Sequence, residues 1–355
     1  QGSQRNSWHT LATNLVLPAN TASVRTRFIR RPGNTVVKFR SARLSSNSIF
    51  GNIVQPTADV VAGSQMLFVS KTGSDSSGAG SSIAPFLTIS KALTAATTDN
   101  VVIEVGGGDY RETVTAAKAG SVWLRSKRGE RARVFGSDQL VVTKTGGFSQ
   151  VYQAPLAAKP VGMGGGRGKP VIFEWGTPSK PIAADDVHFL QRGRSYRLPY
   201  SEMFEAATKV ELDTLGGRGK WFWEAGTIFF AATDGGDATA KRYEARVRPV
   251  LTQSLGSIRL TRIDGYFSNN IGMDFQGIHT KREDCRVFGS YHNGFADGAN
   301  VTRSYRDESA GNGNDGFNGT VTDFAGKADE ETRIEAVYFD PYGHDNGDDG
   351  ISFHT

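Results

Sequence analysis

The sequence predicts an all-β fold of stacked coils, on three observations. The first is a repeat aligned on glycine: "SNNIGMDF", "SYHNGFAD", "NGNDGFNG" and "NGDDGISF" place glycines at 272, 294, 316 and 350. Two intervals are 22 residues, the length of a three-strand coil, and the third is 34, as for a coil carrying a 12-residue loop near "DFAGKADEETRI". The second observation is the chemistry of the aligned columns. Met273, Phe295, Phe317 and Ile351 follow the glycines and form an apolar column expected to point inward. Four residues before each glycine stand Ser268, Ser290, Asn312 and Asn346, suited to a hydrogen-bonded ladder at a turn; ten before stand Arg262, Asp284, Arg306 and Asp340, alternating in charge. Third, 43 glycines, 22% charged residues and 10% aromatics in 355 residues suit a turn-rich globular β protein long enough to bury a full core.

Taken in order, residues 1–60 read as a small β module: "NLVLPAN", "SVRTRFIRR" and "TVVKFRSARL" resemble short strands with one wet face. Residues 61–155 open with strand, polar Gly/Ser loop, short helix, strand and glycine turn. Pro85 marks a helix start, and Phe86, Ile89 and Leu93 recur at helical spacing to give one apolar stripe. Further strands follow in "SVWLRSK", "ARVFGS" and "QLVVTK". Composition changes at "KPVGMGGGRGKP", and residues 156–250 read as an inserted β-rich module with two GGRGK copies and the aromatic "KWFWEAGTIFFAATDGG". Residues 251–355 hold the repeated coils. A coil ending at Thr355 would leave an open apolar end and an unpaired edge, so further coils or partner subunits are expected beyond it.

One arrangement resembles a known superfamily. The "G-S-D" of Gly73–Asp75, the "P-F-x-T-I-x-x-A-L" of Pro85–Leu93 and the "Y-x-E" of Tyr110–Glu112 recur in this order at the start of right-handed parallel β-helix proteins of the pectate-lyase-like superfamily. The resemblance covers about residues 65–155 and 250–355. It implies a right-handed parallel β-helix with an N-terminal capping helix. It also implies action on a polysaccharide, by hydrolysis or β-elimination, in a secreted enzyme or a phage tailspike depolymerase. Tailspikes of this type are homotrimers, so the resemblance implies a homo-oligomer, and it places the protein outside the cell or on a virion surface. A non-catalytic glycan-binding or structural β-helix is the alternative, because fold does not dictate function.

Two columns before the glycine carry chemistry. One runs Asn270, His292, Asn314, Asp348, and the next Ile271, Asn293, Asp315, Asp349. Coils stacked about 4.8 Å apart would bring Asp315 and Asp349 to about the 5–5.5 Å separation of a retaining glycosidase. Asp315 and Asp349 are therefore the candidate acid and base or nucleophile, supported by Asp348 and His292. The same oxygens of Asp315, Asp348 and Asp349 could instead hold Ca²⁺. Turn chemistry is the plain alternative, since Asn and Asp before glycine suit tight turns. His344 is a candidate substrate contact, although its column of Tyr266, Phe288 and Ala310 favours packing. For a lyase, Arg306 and Arg282 are candidates to neutralise a uronate. Trp221 and Trp223 share one strand face, either as a sugar-stacking platform or as module core.

Other classes drop out. "GMGGGRGKP" has neither the Walker spacing nor its hydroxyl, "DNGDDG" lacks the third-position ligand of an EF-hand, and no Gly-x-Ser-x-Gly or His-Glu-x-x-His occurs. Net charge is +5, and the seven Lys/Arg between Arg25 and Arg43 come with no nucleic-acid-binding pattern. No nucleic-acid or membrane partner is expected, since no run approaches the roughly 18 apolar residues of a span. Cys285 is the one cysteine, which excludes an intrachain disulfide framework.

Overall fold

The computed structural model describes residues 64–160, 171–175, 198, 200–299, 301–320 and 335–354, all within the unit Arg43–Thr355. The β module expected over 1–60 lies outside them. Each coil contributes one strand to each of three parallel sheets, which makes the fold a parallel β-helix. The first sheet stacks Gln65–Val69, Val101–Val105, Ser121–Ser126, Ser257–Thr261, His279–Glu283, Val301–Tyr305 and Glu335–Phe339. The second stacks Gly108–Tyr110, Ala132–Phe135, Ile263–Tyr266, Arg286–Phe288, Glu308–Ala310 and Tyr342–His344. In the third are Val114–Ala116, Leu251–Gln253, Met273–Phe275, Phe295–Asp297, Phe317–Thr320 and Ile351–His354.

The glycine repeat is the coil register. Met273 stands opposite Phe295, Phe295 opposite Phe317, and Phe317 opposite Ile351. The first three are fully buried, each worth roughly 1.5–3 kcal/mol of apolar burial. Ile351, on the last described strand, is 40% exposed. The glycines themselves are not left-handed; they let coils approach. A Cβ on Gly294 would meet Ser309 Oγ at 1.9 Å and the Gly316 carbonyl at 2.6 Å.

The alternating-charge column marks the corner between first and second sheets. Arg262, Asp284, Arg306 and Asp340 have φ of 55°, 53°, 55° and 53°, a left-handed conformation unfavourable for side chains with a Cβ. Charge alternation offsets part of that cost across coils. Arg306 binds Asp284 with two bonds, at 2.9 and 3.2 Å, and Glu283 at 2.9 Å.

The cap helix, α1, spans Ile89–Ala95 with Thr88 as N-cap, and buries Ile89, Ala92 and Leu93 over the coil end. Phe86 does not belong to it: Phe86 pairs in parallel with Val69, so the helix begins later than Pro85 suggested. The two acids of the quoted motifs hold its start. Asp75 accepts the N–H of Leu87 (2.8 Å) and Thr88 (3.0 Å), and Glu112 accepts those of Ile89 (3.0 Å) and Ser90 (2.8 Å). Helix-start amides have no partner within the helix, so carboxylates from two neighbouring segments supply it.

The chain leaves the coil after Ala132–Phe135 and returns at Leu251–Gln253, whose partner is Val114–Ala116 on the coil before. Between lies a mixed eight-stranded sheet formed by Ser137–Gln139, Thr143–Lys144, Tyr152–Pro155, Ile172–Trp175, Tyr200–Glu205, Lys220–Glu224, Thr227–Phe230 and Arg242–Arg246. Lys220–Glu224 and Thr227–Phe230 form a hairpin whose turn residues Ala225 and Gly226 both have positive φ, 47° and 81°, matching the twist of paired strands. The module docks through aromatics: Phe173, Leu198 and Tyr200 pack on Phe135, Tyr266, Phe267 and Phe288 of the coil. A polar clamp seals the seam, where fully buried Glu244 takes both Arg111 nitrogens at 2.8 Å and Ser137 Oγ at 2.7 Å.

Candidate active site at the second-to-third-sheet turns

The turns joining the second sheet to the third are themselves a ladder. The N–H of His292 donates to the Asn270 carbonyl (3.1 Å), Asn314 to His292 (3.1 Å) and Asp348 to Asn314 (3.2 Å). Side chains add a second ladder. Asn312 and Asn346 accept from the amides of Ser290 (2.9 Å) and Asn312 (3.1 Å). Parallel stacking thus carries through the turn and sets His292, Asn314 and Asp348 in one column and Asn293, Asp315 and Asp349 in the next.

The predicted acids occupy unlike environments. Asp315 is 1% exposed; its Oδ1 accepts the N–H of Asp349 at 3.3 Å, and its Oδ2 accepts Asn318 Nδ2 at 2.7 Å. Asn293 does for Asp315 what Asp315 does for Asp349, accepting its N–H at 3.2 Å. Asp315 is therefore a brace within the turn, while Asp348 and Asp349 face solvent. His292 is half-buried. Among the described residues no three His, Cys, Asp or Glu groups are placed to hold a metal ion.

His344 lies on the strand leading into the last of these turns. Its Nδ1 contacts Asp345 Oδ2 at 2.8 Å and its Nε2 contacts Glu308 Oε1 at 3.3 Å. Burial works against the charged ring, but the two carboxylates outweigh it and raise the pKa above its ordinary value. Tyr342 covers the ring at 4.4 Å between centroids. The turn closes on itself, since a Cβ on Gly343 would lie 2.5 Å from the Gly350 carbonyl. His344 and Asp349 are each one residue from that contact.

Other candidates lie elsewhere. Arg306 sits at the corner between the first and second sheets, in its bonds to Asp284 and Glu283. Arg282 is inside the coil, with Nε on Asp307 Oδ2 (3.1 Å) and Nη2 on Asp297 Oδ2 (3.0 Å), so it cannot meet a polymer outside. Trp221 has its ring in the module core, 3% exposed. Trp223 packs against the same cluster and donates its indole N–H to the Leu156 carbonyl at 2.9 Å. The two do share a face, but it is the packed one.

Glu308 and Asp345 escaped the sequence reading. Glu308 follows Asp264 and Arg286 at 22-residue spacing, so the alignment that found the turns would have found this column. Burial pushes the Asp264 carboxyl up to about 7 although Arg131 and Arg286 oppose it. Asp345 carries a positive φ of 53° just after the strand, which only coordinates reveal.

No protein-family model matches the chain, and no curated protein matches it. Several solved structures are similar to it in fold, among them the following two. The complex of XylC with xylose is 14% identical over 72% of this chain, with a TM-score of 0.47. This chain spans 56% of that protein's length. A glycoside hydrolase is 11% identical, covering 72% of this chain and 77% of its own, with a TM-score of 0.40.

Proposed function

We propose that the chain is a carbohydrate-active enzyme that hydrolyses a polysaccharide at the turns leading into the third sheet. The observation that carries this reading is the pairing of unequal groups on one closed turn. Exposed Asp349 is held by buried Asp315, and His344, one residue from the same Gly343–Gly350 contact, is held by Glu308 and Asp345. Groups whose environments differ in this way divide acid and base work between them. Asp349 serves as base or nucleophile, with Asp348 beside it. His344, whose charged form its two carboxylates favour, serves as proton donor or as electrostatic support.

A lyase is the second reading, favoured by the outer face of the first sheet. Arg259, Lys281 and Arg303 stand in one register column there, with Arg259 over the Trp123 ring at 4.1 Å. Cations repeating at about 4.8 Å per coil suit the carboxylates of a uronate polymer. Incubation with a panel of neutral and acidic polysaccharides decides between them. New reducing ends without absorbance near 232 nm support hydrolysis, and absorbance selects the lyase. Binding with neither signal sinks the enzyme reading in favour of a glycan-binding β-helix.

A further inference from the structure

Arg246 closes a module strand with its guanidinium inside the seam between module and coil, 2% exposed. Nη2 donates to the Gly289 carbonyl. Nε and Nη1 are buried without a hydrogen-bond partner, and among the described residues no carboxylate pairs with the group. Burial accordingly pulls its pKa down to about 10. Contrast Arg282, equally buried, which two aspartates answer. Leaving a buried ion uncompensated destabilises the native state, and so does each buried donor without an acceptor.

A second orphan donor adjoins it. Tyr200 is fully buried, and its hydroxyl has no partner. Both residues converge on Gly289 and Phe173. The Tyr200 hydroxyl lies 2.9 Å from where a Cβ on Gly289 would sit, and 2.3 Å from one on Gly311. Left-handed backbone at these glycines, φ 67° and 64°, makes that room. The Phe173 ring lies 5.2 Å from the Tyr200 ring and 4.9 Å from the Arg246 guanidinium. Glu202, on the same strand face as Tyr200, is an electrostatic neighbour of both but has interactions of its own.

We infer that this seam binds a small monoanion, a halide or a single carboxylate group, beside Gly289, between the Arg246 guanidinium and the Tyr200 hydroxyl. An acceptor-only, negatively charged ligand gives the Tyr200 hydroxyl and an unpartnered guanidinium N–H an acceptor and neutralises the buried charge at once. Bound there, it fastens the module to the coil, because Arg246 and Tyr200 come from module strands while Gly289 and Gly311 belong to coil turns. The inference stands independently of the cleavage reading.

Melting the full chain in halide-free buffer, with ionic strength held by methanesulfonate, tests it. Sodium chloride or bromide should raise the melting temperature saturably, as expected for a ligand of the native state, and bromide-soaked crystals should show an anomalous peak beside Arg246. A rise with formate or galacturonate but not halide assigns the site to a carboxylate. Tyr200→Phe should weaken the apparent halide affinity about tenfold, equivalent to about 1.4 kcal/mol; Arg246→Met should abolish the dependence. If Arg246→Met does not fold, the wild-type titration and Tyr200→Phe decide. Indifference to all these anions overturns the inference, as does an equal rise in Arg246→Met. So does density showing only water or the Glu202 carboxylate between the two side chains.

Discussion

The carboxylate of Asp315 accepts the backbone N–H of Asp349 across adjacent coils, at 3.3 Å. One predicted acid thus holds the turn that presents the other. Asp315→Ala should destabilise the protein by about 1–3 kcal/mol, because it strands buried donors of Asn318 and the turn. Asp349→Asn should leave denaturant stability within about 0.5 kcal/mol and lower turnover about 100-fold or more. Urea unfolding with a reducing-end assay on both variants checks this. Full activity in Asp349→Asn removes that residue from the proposed mechanism.

Arg282 ties the third sheet's Asp297 to the corner residue Asp307 inside the coil, and Tyr338 adds its hydroxyl to Asp297 at 2.7 Å. Removing one member of a buried ionic network exposes the others to an apolar interior. Arg282→Ala should therefore cost about 3–5 kcal/mol, measured by chemical denaturation. A loss below 1 kcal/mol would mean that water reaches the acids.

Glu112 caps the cap. Its two oxygens take the first amides of α1 and the Ser90 hydroxyl, the last at 2.5 Å. Glu112→Ala should lower stability by about 1–2 kcal/mol and speed amide exchange at Ile89 and Ser90 more than in the distant coils. Uniform acceleration would point to global unfolding instead.

Stability should fall as pH rises from about 4 to 7. Asp264 and Asp307 have carboxyls raised by burial to about 7 and about 6, and His344, raised from its own higher starting value, adds a loss only toward and beyond the upper end of that range. A raised pKa means that the native state binds the extra proton, so this contribution is complete below the unfolded value and lost on passing the folded one. Asp75 and Asp234 are shifted down, which removes stability at still lower pH. Melting temperatures across pH 3–8 should peak near the start of the window, and Asp264→Asn should flatten the fall toward pH 7.

Much of the coil was legible because its geometry repeats. A fixed stacking distance forces equivalent residues to recur at one interval, so Gly272, Gly294 and Gly316 disclosed the register and Met273, Phe295 and Phe317 the inward column. Positions with a special backbone showed themselves only as chemistry. The Arg/Asp alternation at 262, 284, 306 and 340 was visible, but not that it marks a left-handed corner. At the candidate turn the stacking was legible, since the Asp315 carboxylate accepts the Asp349 N–H from the next coil, yet which acid faces solvent depends on side-chain packing that spacing does not encode.

By itself the sequence determined the stacked-coil architecture and the 22-residue register, since each follows from local propensity and periodicity. Tertiary structure alone decided that Arg282 lies inside the coil while Arg306 lies outside, that Trp221 packs rather than faces solvent, and that Glu308 and Asp345 converge on His344. The physical reason is the same in each case. Burial and pairing of polar groups depend on partners brought from other coils and from the module, and no local window of the chain contains them.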